Sequence, residues 1–166
     1  MTYICPVIEN INKENKYKNF FIIFLIVYTI FYTVVFRYPK IHIHKNLVNE
    51  NSLIYYNKYY KNHPYQSFII DFIIYCMYAI VSFILYKYLP LKFIASANFM
   101  ITNVLAVIIV DFIIGLLLKL NINNEVFQLW KNYASFVKFN EIMLDIIILN
   151  LLTFSTLFII KKYPNL

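Results

Sequence analysis

The sequence predicts an all-α membrane protein with four transmembrane helices and one interfacial amphipathic helix. Three observations predict it. Of 166 residues, 61% are hydrophobic and 14% charged, where soluble domains sit near half and about a quarter. The apolar residues gather in four blocks, 20–36, 68–86, 93–118 and 142–160, each close to the roughly 20 helical residues that cross a hydrocarbon layer about 30 Å thick. The chain has a single glycine, Gly115, too few for turn-rich β architectures or for glycine-lined phosphate cradles.

The blocks must be helical. An open strand in lipid leaves its backbone N–H and C=O groups without partners, and four segments cannot close a barrel. They also lack the alternating polar and apolar pattern of barrel strands.

Taken in order, a polar tail, 1–19, precedes the first block. Lys13, Lys16 and Lys18 followed by an apolar run imitate a signal peptide, but FYTVVFRYPK offers no small-residue cleavage site, so the block reads as an uncleaved anchor. The loop 37–67 is polar yet crowded with Tyr55, Tyr56, Tyr59, Tyr60 and Tyr65, rings that favour the head-group region. Within it, IHIH at 41–44 alternates as a short strand would. The second and third blocks follow, joined by a short basic connection.

Next comes NINNEVFQLWKNYASFVKFN. Val126, Trp130, Tyr133 and Val137 recur on one face and Gln128, Lys131, Asn132, Ser135 and Lys138 on the other, so 125–139 reads as an amphipathic helix capped by Asn124. Its predicted anchors in the interface plane are Trp130, Tyr133, Lys131 and Lys138; packing against the 37–67 loop is the other option. The last span and a basic tail, 161–166, complete the chain.

An even number of crossings puts the 37–67 loop and the 125–139 helix on one face, called side B. Seven basic residues on one face against eight on the other leave the positive-inside rule without a bias. The net charge is +7; with three Asp inside the spans, the wetted parts carry about +10, which suits anionic lipid head groups as partners. Nucleic acid is not expected, since no basic, aromatic-interleaved face is present. Cys5 and Cys76 form neither a disulfide framework nor a CxxC pair. His42, His44 and His63 lack a third ligand at metal spacing, so no metal and no cofactor is predicted.

The intramembrane acids carry the site prediction. Counted from the block ends on side B, Asp71 and Asp145 lie about 4.5 Å inside and read as helix-start acids favoured by the macrodipole. Asp111 lies roughly 10 Å inside, near the unfavourable end of its helix. Insertion of an Asp at mid-span costs about 2.5 to 3.5 kcal/mol, so Asp111 needs donors. Depth nominates Asn150 and Tyr75, and the predicted site is a polar clasp of Asp111, Asn150 and Tyr75, with Gly115 letting another backbone approach. A proton or ion pathway through Asp111, in an oligomer, is the alternative. An enzyme is not predicted: the spans contain no His, and Ser82, Ser96, Ser155 and Cys76 have no base within their helices.

The stretch VFQLWKNYASFVKFNEIMLDIIILNLL, with Trp130, Tyr133, Ala134 and Val137 ahead of a span carrying Asp145, resembles the C-terminal part of small multi-pass membrane proteins of nucleocytoplasmic large DNA viruses. So does HPYQSFIID, a turn leading into a span with the early Asp71. The resemblance implies a non-enzymatic structural or assembly protein of a virion's internal membrane, with membrane or capsid proteins, or further copies of the chain, as partners. The richness in Ile, Asn, Lys, Tyr and Phe fits an AT-rich genome, and an accessory subunit of a divergent mitochondrial inner-membrane complex shares that bias.

Overall fold

The computed structural model describes residues 14–36, 50–89, 95–120, 122–137 and 139–163. Among them there is no strand. The helices are α1 (Glu14–Phe31), prolonged by a π-helical turn Tyr32–Phe36, α2 (Glu50–Asn62), α3 (Pro64–Tyr88), α4 (Ala95–Leu117), α5 (Glu125–Val137) and α6 (Phe139–Lys162). The IHIH segment, Cys5 and Lys138 lie outside the described residues, as do the side chains of Tyr133 and Tyr56.

Three helices are long and apolar enough to cross a membrane, at Pro64–Tyr88, Ser96–Leu117 and Ile142–Lys162. The apolar part of the first helix, Asn19–Val34, is shorter. The long helices form a bundle in which α3 packs on α4, α4 on α6, α6 on α1 and α1 on α3. Each turns one face inward. On α1 that face is Phe20, Phe24, Tyr28 and Tyr32, buried at strict four-residue spacing. These rings meet α3 in antiparallel order: Phe20 on Phe83 at 4.9 Å, Tyr28 on Phe72 at 5.2 Å, Tyr32 on Phe68 at 5.0 Å.

Local chemistry sets the boundaries. Pro64 opens α3 at a position where its missing N–H is no loss. Leu89 ends it in an extended conformation, as a residue before proline must, Pro90 being next. Asn124 Oδ1 accepts the Phe127 N–H at 3.0 Å, which bears out the cap read from the sequence.

The polar loop differs from its sequence reading, because 50–62 is a helix. Its apolar and tyrosine residues do not alternate, and a helix pairs the backbone N–H groups beyond its first turn. The chain then bends sharply at His63. Had α2 run on into α3, Tyr60 and Asp71 would lie about 16 Å apart at 1.5 Å per residue, yet their side chains are bonded at 2.8 Å. Proline's missing donor and its ring clash with the preceding turn account for the break.

Helix α5 lies against α2, and His63 Nε2 approaches Glu125 Oε1 at 3.7 Å where their ends meet. Of the two options for the amphipathic helix, packing on the loop is the one observed. Trp130 is half-buried against the bundle core with Phe127 edge-on at 6.0 Å, and Lys131 is half-buried beside it.

Candidate functional site, an intramembrane seam of hydroxyls and carboxyls

The inward face of α3 is polar. Its buried residues are Ser67, Asp71, Tyr75, Tyr78, Ala79 and Ser82, spaced four, four and three, then four residues apart when Ala79 is set aside, the pattern that keeps one stripe of a helix facing its neighbours. Half-buried Tyr86 continues the stripe by one more turn. The aliphatic residues between them, Ile69, Ile73, Ile80 and Ile84, are turned outward and exposed.

The uppermost layer belongs to α1, α2 and α3. Tyr32 Oη and Ser67 Oγ are 2.8 Å apart, and Tyr28 donates to the Phe68 carbonyl at 3.3 Å. Tyr60 donates to Asp71 Oδ2 at 2.8 Å, and Tyr59 to Oδ1 at a longer 3.4 Å. Both donors come from the bend at His63.

One turn deeper, three helices meet. Tyr75 donates to Asp145 Oδ1 at 2.5 Å, and Tyr78 stands between Asp145 Oδ2, at 3.3 Å, and Asp111 Oδ1. A phenol carries one proton, so Tyr78 serves one of the two carboxyls at a time. Among the described residues none of the three carboxyls is paired with a basic side chain; their partners are phenols.

A third layer lies another turn along α3. Ser82 Oγ lies 3.1 Å from Thr102 Oγ1 and 2.5 Å from Asn103 Oδ1. Asn103 Nδ2 donates onward to Asn150 Oδ1 at 2.9 Å and to Thr153 Oγ1 at 3.1 Å. All but Asn150 of these side chains are fully buried. This layer ties α3, α4 and α6 together without a single carboxyl.

The predicted clasp is therefore corrected. Asp111, Asn150 and Tyr75 do not meet: Asp111 takes Tyr78 as donor, Tyr75 bonds Asp145, and Asn150 bonds Asn103 and the Ile146 carbonyl at 2.8 Å. The error is one helical turn. Tyr75 and Tyr78 share a face, and depth counted from apolar block ends cannot separate them.

Asp71 and Asp145 are likewise not in a first turn. They follow Pro64 and Phe139 by seven and six residues, about 9 to 10 Å along the axis, where the macrodipole no longer acts. Polar residues ahead of each apolar block extend both helices. Asp111 and Asp145 share one layer, and Asp71 lies one turn of α3 above it. Gly115 contributes no close approach, since a Cβ there would meet nothing within 4 Å.

Sequence reasoning missed Tyr59, Tyr60, Tyr78, Ser82 and Asn103. The signal for Tyr78 and Ser82 was present as polar residues at helical spacing from 67 to 86, hidden by the apolar average of the segment. No comparable signal pointed to Tyr59 and Tyr60, whose role arises from the bend. Comparison of the chain with protein families, with characterised proteins and with solved structures finds no match.

Proposed function

We propose that this chain is a four-span integral membrane protein whose role is structural, as a packed component of a larger membrane assembly. The observation that carries the reading is the outer surface of the bundle. Ile30 on α1, Ile69 on α3, Phe112 on α4 and Phe158 on α6 are 60%, 54%, 69% and 65% exposed, while the interior carries hydroxyls, amides and carboxyls. Water would reward the reverse arrangement; lipid rewards this one. Because α1 exposes Ile22, Ile26, Ile30 and Val34 in the same way, it belongs in the same solvent. With its π-helical turn, residues 14–36 are long enough at about 34 Å to cross.

Association of helices in lipid rests on packing and on interhelical polar bonds, and three such layers fill this interior. Their polar groups bond mostly to one another, as a scaffold requires. Lys58 and Lys61 on α2 and Lys119 just after α4 are exposed, and anionic head groups add roughly 1 kcal/mol of attraction for each lysine near them. The resemblance of the C-terminal stretch supports the internal membrane of a large DNA virus as the setting, with capsid or membrane proteins as neighbours.

Two measurements test this. With Cys5 and Cys76 replaced by Ala, cysteines placed at Asn19 and at Lys61 should be labelled from opposite sides of the membrane; labelling from one side removes the fourth span. Native gels of gently solubilised membranes should show a species larger than the 20.0 kDa chain in its detergent belt. A monomer alone overturns the assembly role.

A further inference from the structure

We propose that the polar stripe of α3 is a proton path connecting the two faces of the membrane. The inference rests on the spanning reading above, and goes beyond a scaffold because of how far the stripe runs. From Ser67 to Tyr86 it covers about 28 Å along the helix axis, against a hydrocarbon layer of about 30 Å. Clasping helices together needs polar groups at one depth. Here they occur at every turn, although each buried polar group in lipid costs more than an apolar one that packs as well.

Every position of the stripe bears an exchangeable O–H or a carboxyl: Ser67, Asp71, Tyr75, Tyr78, Ser82, Tyr86. Two hydroxyls of α3 each reach two acceptors, Tyr78 one on α4 and one on α6, Ser82 two on α4. Tyr78 lies between Asp111 and Asp145, and Ser82 between Thr102 and Asn103. At Tyr78 one carboxyl, when protonated, gives its proton to the phenol oxygen as the phenol gives its own to the other carboxylate, and rotation of the new O–H then resets the phenol, which is the elementary step of a relay.

The layers are one turn apart, roughly 6 Å, a separation that a single bridging water spans. The groups facing the path are Tyr28 and Tyr32 from α1, Tyr59 and Tyr60 from α2, Asp111 from α4 and Asp145 from α6, with Cys76 on α3 itself half-buried. None is basic, so no fixed cation opposes a proton along the stripe. Phe83, Phe99 and Phe154 pack on one another beside the third layer, at 5.4 and 6.0 Å between ring centres.

The test uses the full chain in phosphatidylcholine vesicles holding a pH-sensitive dye, with a potassium diffusion potential set by valinomycin. Inserted protein should raise proton uptake above the protein-free rate, in proportion to the protein inserted. Tyr78→Phe and Ser82→Ala, which lie in different layers, should each return it toward the protein-free rate, while outward-facing Ile73→Val leaves it unchanged. Helical content and melting temperature in detergent verify that the variants fold. Protein stripped from the vesicles by alkaline carbonate overturns the spanning reading and this proposal together. Protein that is retained but no faster than empty vesicles overturns the proposal alone, as does full flux in both variants.

Discussion

The Tyr60 hydroxyl donates to Asp71 Oδ2 at 2.8 Å across the bend at His63, so a surface helix supplies the donor for an acid inside the bundle. Tyr59, at 3.4 Å from the other oxygen, is too distant to replace it. Tyr60→Phe should therefore lower stability in detergent by about 1 kcal/mol, and Tyr59→Phe by less. Thermal unfolding followed by circular dichroism measures both. Equal losses would show that the bend holds Asp71 by packing and not through this bond.

Asn103 and Asn150 are bonded to each other, yet they are not equivalent. Asn103 accepts from Ser82 and donates to Asn150 and Thr153, so it joins three helices; the Asn150 amide is turned back to the Ile146 carbonyl of its own helix. Asn103→Leu should cost about 2 kcal/mol, leaving several buried groups short of partners, and Asn150→Leu under about 1 kcal/mol. Chemical unfolding in mixed micelles ranks the pair, and the reverse order would break the three-layer account.

Gly115 tests where α4 faces. A methyl group there meets nothing within 4 Å, and Ala exceeds Gly in helix propensity by up to about 1 kcal/mol. Gly115→Ala should leave the melting temperature unchanged or raise it. A fall would mean that another backbone packs on this face.

Asn124→Ala removes the cap of α5 and should cost about 1 kcal/mol, confined to that helix and its contact with α2. Hydrogen exchange should quicken at Phe127 and Gln128 while the amides of α3 and α6 keep their protection. Faster exchange throughout would tie α5 into the cooperative unfolding of the bundle.

The class of solvent, the helical state and the positions of the apolar blocks were legible in the chain because they depend on composition and on local periodicity. So was the Asn124 cap, whose donor and acceptor are three residues apart. That the three acids gather in adjoining layers of the bundle was within reach of counting residues along alternating helices. Which tyrosine holds which acid did not follow. Tyr75 and Tyr78 share a helix face and similar depth, so choosing between them takes the rotation of α4 and α6 about their axes. The helix at 50–62 was hidden by its polar composition, and the Tyr60 bond by a bend that only the packing of α2 on α5 makes definite. Pattern along a chain measures distance in residues; a hydrogen bond between helices measures it in ångströms, and the bundle alone converts one into the other.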